Sequence, residues 1–241
     1  MFNIKGCFSG ELFRGLVMRA PSFGVIQFVL LTLLAAMFYP GGFDIYGQYF
    51  SELGATMARN GGLNSVSSSL FLVANLVIAV TLVPFWLEIP SLLNDTRGMK
   101  AAGKLGSALG LISSPFMMGT AFCPIDTQPG MHFLMFLIFF PLFNMASLLY
   151  SIAIMLDQRV DEKPGVLGLL LFALSILVFI DPSASYAPLL QKGILYGYFI
   201  WVLTLNELFF KETIGPIHFH KKGSSERRAW VQIPSPALPD K

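Results

Sequence analysis

Cys123, Asp126, Thr127 and His132 share one short polar corner, Cys-Pro-Ile-Asp-Thr-Gln-Pro-Gly-Met-His, set between two long apolar runs. A second polar stretch, Tyr49-Phe50-Ser51-Glu52-Leu53-Gly54, fills another such gap, and Asp181 follows a later run. Carboxylates beside an imidazole can work as acid and base, or can ligate a metal that activates water. Glu52, Asp126, His132 and Asp181 are therefore the candidate catalytic residues. Ser51, Arg59, Asn64, Cys123, Thr127 and Lys192 are the supporting groups, and a divalent metal is the cofactor such a cluster would hold. No stronger enzyme signature accompanies them: there is no His-Glu-x-x-His, no Gly-x-Ser-x-Gly and no phosphate-cradling glycine loop.

The elements that must position these residues follow from composition. Of 241 residues, 54% are hydrophobic and only 12% charged, against about 25% charged in a soluble domain. Six apolar segments stand out, at 22–39, 65–87, 102–122, 131–156, 165–180 and 193–210. A chain in lipid must satisfy its backbone hydrogen bonds within the segment, so each is read as a helix. The fold class is all-α: a polytopic bundle of six transmembrane helices. Residues 1–20 carry apolar positions at helical spacing among Lys5, Glu11, Arg14 and Arg19, which predicts a short amphipathic helix in the membrane interface. The membrane domain covers 21–210. The tail, 211–241, is basic and Pro-rich and predicts a disordered cytoplasmic segment. Cys7 and Cys123 fall on opposite sides of the membrane in this scheme, so no disulfide is expected.

Alternating the segments puts 14 of the 16 Lys and Arg residues on one side, with only Arg59 and Lys192 on the other. The bias predicts a multi-pass protein of the cell membrane with both termini cytoplasmic. The candidate residues then share the outer face, at head-group level. Membrane lipids are the expected partners and nucleic acid is not. Gly106, Gly110, Gly193 and Gly197 supply small faces where helices can approach closely.

Two readings of the outer face compete. In one, the four candidate residues converge on a single site. His132 lies near the start of the fourth helix, where the positive dipole end favours a neutral imidazole, as a base or ligand needs. Asp181 closes the fifth helix, where a negative charge wants a cation: Arg59, Lys192, a metal or protonated His132. In the other, Asp126 or Thr127 merely caps the fourth helix, His132 bonds a loop carbonyl and Asp181 pairs with Lys192. Residues 51–60 are expected to form a short helix, capped by Ser51 and ended by Asn60-Gly61-Gly62.

The Ser51-Glu52-Leu53-Gly54 motif, with Asn64 and the Ser-rich start of the second segment, resembles an uncharacterised prokaryotic family of six-span membrane proteins. This is the family called domain of unknown function nine-nine-eight. Pro124-Ile125-Asp126-Thr127 followed by His132 is similar to that family's second motif. A more distant resemblance is to six-span proteins of the Frag/DRAM/Sfk type, which implies lipid handling but no assigned reaction. The expected function is an integral membrane protein that binds or processes lipid head groups, as a hydrolase or transferase. A non-catalytic scaffold or assembly subunit is the alternative, and a small-molecule transporter the second. Polar groups at head-group level weigh against the transporter, since transporters bind cargo near mid-bilayer.

Overall fold

The computed structural model describes residues 10–93 and 96–214. Six helices account for most of it: α1 (Gly10–Met37), α2 (Ser65–Glu88), α3 (Arg97–Phe122), α4 (Pro129–Leu156), α5 (Lys163–Ile180) and α6 (Ala187–Ile214). All six are long and apolar enough to cross a membrane. The chain is an all-α, multi-pass membrane protein. Outward faces stay apolar as lipid requires: on α1, Phe23, Ile26, Leu30, Leu33 and Met37 form an exposed stripe at three- and four-residue spacing.

Residues 10–20 are not a separate element. They form the first turns of α1, which runs through Pro21 without a break. Residues 1–9, including Cys7, and the tail beyond 214 lie outside the described residues. Thr96 starts α3 by accepting a hydrogen bond from Met99 N at 3.2 Å. Pro129 and Pro164 sit in the first turns of α4 and α5, where their missing N–H costs nothing.

Each helix packs on its neighbours in chain order, and α6 returns to α1, closing a ring. Polar side chains tie adjacent members across apolar contacts. Gln27 on α1 donates to Ala74 O of α2 at 3.1 Å, Ser107 on α3 meets Tyr150 on α4 at 2.7 Å, and Asn206 on α6 donates to Ser22 on α1 at 2.9 Å. Aromatic rings fill the centre. Trp86 stacks on Tyr150 at 6.1 Å between centroids, and Trp201 meets Phe85 edge-on at 5.9 Å.

The glycine faces serve this same ring. A Cβ on Gly106 would meet the Tyr150 ring, one on Gly110 would enter the Trp86 ring, and one on Gly197 would strike Leu171. Gly193 alone of the four faces open space.

Three connections lie at one end of the ring: 38–64, 123–128 and 181–186. The first of them does not form the helix expected over 51–60. It makes one 3₁₀ turn, Phe50–Gly54, and then a loop with an isolated antiparallel bridge between Met57 and Leu63. The cap is Tyr49 rather than Ser51: Glu52 N donates to Tyr49 O, and the Glu52 carboxylate accepts from Tyr49 N at 2.8 Å. Gly61, at φ +81°, turns the chain back toward α2 with its N–H bonded to Ala58 O.

Candidate functional site

The 3₁₀ turn carries its apolar residues inward. Phe50 and Leu53 are buried against the ring, whereas Met57 is 45% exposed. Asn64, at the head of α2, holds the turn from below by donating to Leu53 O at 3.1 Å and Ala55 O at 2.9 Å. Ser67 adds a bond to Leu53 O. Asn64 thus supports the loop and makes no side-chain cap for its own helix.

Glu52 projects from this turn into a local network. Arg59 grips it with two bonds of 2.6 Å, from Nε and Nη2, and also donates to Gly47 O at 3.1 Å. Gln48 Nε2 adds a bond at 3.2 Å. Lys192 on α6 is buried, and its ammonium reaches no carboxylate of the described residues within ion-pair distance. It donates to the carbonyls of Gln48 and Pro188 and lies 5.5 Å from the centre of the Phe43 ring. The Lys192–Asp181 pair is therefore not formed, because two carbonyl dipoles and an aromatic face already hold the ammonium.

Asp126 does not cap α4, nor does Thr127, which is exposed. The cap position is Gln128, without a side-chain bond. Asp126 instead reaches across to the first loop. Its carboxylate accepts from Thr56 N at 3.0 Å, Thr56 Oγ1 at 2.6 Å and Met57 N at 2.9 Å. Partial burial opposes the charge, but these hydrogen bonds outweigh it and hold the carboxyl below its ordinary value. Asp181 ends α5, as expected, but finds its partners in its own turn: Ser183 N at 3.1 Å and Ser183 Oγ at 2.7 Å. Tyr49 stands between the loops, donating from its hydroxyl to Pro182 O. Burial first, then the charges of Asp181 and Glu52, push its phenol upward, which keeps it protonated as that donor.

His132 is buried in the first turn of α4, and its Nδ1 lies 2.8 Å from Cys123 O. A carbonyl only accepts, so Nδ1 carries the proton, and in the neutral form of the ring Nε2 is an acceptor. Nε2 has no hydrogen bond among the described residues. The Cys123 thiol is free.

These residues surround a cavity of about 320 Å³ inside this end of the ring. Eight phenylalanines line it: Phe28, Phe50, Phe71, Phe133, Phe136, Phe139, Phe140 and Phe179. Its polar lining is Tyr49, Ser51, Asn75, Thr120, His132 and Gln191, and none of the lining side chains is charged. Ser51, Ile125 and Pro182 line it, while the adjoining Glu52, Asp126 and Asp181 do not. The three carboxylates thus anchor the loops around the cavity, and among the four candidates His132 alone contributes to its wall. No hydrogen bond or ion pair among the described residues joins any two of Glu52, Asp126, His132 and Asp181. Nor do any three His, Cys, Asp or Glu side chains among them gather as a metal would need. The divalent ion considered from the sequence therefore has no ligand set here.

The cavity wall was not legible beforehand. The Phe133, Phe136 and Phe140 spacing on α4 was the available signal, with Gln191 as a lone polar residue opening α6. Comparison with family models, with curated proteins and with solved structures found no match.

Proposed function

We propose that this is a lipid-binding membrane protein, which takes an amphiphile into the apolar cavity with its head at the polar rim of Tyr49, Ser51, His132 and Gln191. The supporting observation is the cavity itself. Its volume is at the low end of small-molecule sites, roughly 300–1,000 Å³, and its apolar walls carry a few convergent polar groups. Phe133, 60% exposed, stands both in the cavity wall and on the outside of the bundle, which suits lateral access from the bilayer. The carboxylates act in this reading as loop anchors. The distribution of basic residues supports a cavity end outside the cell and both termini inside.

Mass spectrometry of lipid carried through purification in mild detergent tests the reading. Wild type is expected to retain an amphiphile that Thr120→Trp and Val178→Trp, each of which fills the cavity, lose while still folding. Equal lipid in wild type and both variants would reject the cavity as the binding site.

A further inference from the structure

We infer that the ligand of this cavity is an uncharged lipid headed by a hydroxyl, and that His132 Nε2 accepts that hydroxyl's hydrogen bond. The inference rests on the lipid-binding reading and adds the class of head group.

His132 is only 7% exposed, and it lines the cavity. Its Nδ1–H is engaged by Cys123 O, and Nε2, the acceptor of the neutral ring, has no partner among the described residues. Nε2 is not sealed in by protein and His132 lines the cavity, so an occupant of the cavity can bring a donor to it. A hydroxyl supplies one. An ether, ester or ketone head offers only acceptors and at Nε2 would set lone pair against lone pair.

Charge narrows the class further. An anionic head would need a cation, yet neither Lys192 nor Arg59 lines the cavity. A cationic head would need a carboxylate. None of Glu52, Asp126 and Asp181 lines the cavity. A charged head in this chamber would be desolvated without compensation. The tail itself selects little, because surrounding lipid is as apolar as the phenylalanine walls. The hydrogen bond at His132 is therefore what separates an alcohol from an ether of the same tail.

The test uses the purified full chain in detergent and four photoreactive probes that share one long alkyl chain with a mid-chain diazirine. They are the primary alcohol, its methyl ether, the carboxylate and the phosphate monoester. The alcohol is expected to label peptides from α4 and α5, and the methyl ether to label them about five-fold less, the worth of one hydrogen bond. His132→Ala is expected to bring the alcohol down to the level of the ether and to leave the ether unchanged. The comparison of alcohol with ether in wild type needs no variant, so a misfolded His132→Ala does not blunt it. Equal labelling by alcohol and ether, or stronger labelling by either anionic probe, would overturn the hydroxyl class while leaving the cavity reading intact. Labelling of cavity peptides by none of the four would overturn both.

Discussion

Asp126 directs its carboxylate at three donors of another loop, which makes it a fastener between two connections far apart in sequence. Replacing it with Asn turns one oxygen into an amide that faces N–H or O–H donors. The expected cost is about 1–2 kcal/mol, at the low end for charged hydrogen bonds because water reaches this site. Thr127→Ala, one residue on and exposed, should stay within about 0.5 kcal/mol of wild type. Thermal unfolding in detergent compares the two, and equal melting of Asp126→Asn and wild type would remove the fastening role. The sign of the pH effect follows from the lowered carboxyl. Its contribution is fully present above the ordinary carboxylate range, about pH 4, and is lost as pH falls through the lower folded value. The protection factors of the Thr56 and Met57 amides should therefore fall only in acid below that range. Protection already lost near neutral pH would contradict it.

At the scale of elements, the ring depends on which glycines meet a neighbour. A methyl on Gly110 would lie 2.2 Å from an atom of the Trp86 ring, itself fully buried, so neither side can yield cheaply. Gly110→Ala is expected to destabilise the protein by roughly 1–3 kcal/mol, an overpacking cost. Gly193→Ala meets nothing within 4 Å and should be neutral or slightly stabilising, since alanine favours a helix. Denaturation in mixed micelles ranks the two, and the reverse order would mean that the α2–α3 contact is not as described. From sequence both glycines carried the same meaning, because spacing shows a small face without showing what it faces. The loop over 51–60 illustrates the complementary failure. Its apolar spacing is compatible with a helix, but Asp126 draws the backbone N–H groups of Thr56 and Met57 outward into bonds that a helix would have used internally.

At the scale of the whole molecule, an even number of spans puts the two ends of the described chain on one side, and the basic residues predict that side as the cytoplasm. Ser183 is exposed at the cavity end and Lys163 at the opposite one. With Cys7 and Cys123 replaced by serine, Ser183→Cys should react with an impermeant maleimide in intact cells. Lys163→Cys should react only after permeabilisation. The opposite pattern would invert the orientation, and with it the side from which the cavity meets the head groups.

The sequence by itself determined the number of helices and their approximate bounds. Lipid obliges each span to close its own hydrogen bonds, so the length of an apolar run is a direct reading of a helix. It also determined that polar groups cluster at the span ends, and that His132 could find a loop carbonyl. Only the tertiary structure decided their partners: Lys192 with Gln48 O, Asp126 with Thr56, Tyr49 with Pro182 O. Those pairs join loops that no local pattern relates. The cavity was equally hidden, because helices apolar on most faces do not announce which face turns inward. Its walls assemble from all six helices and the 3₁₀ turn only once the ring closes α6 against α1.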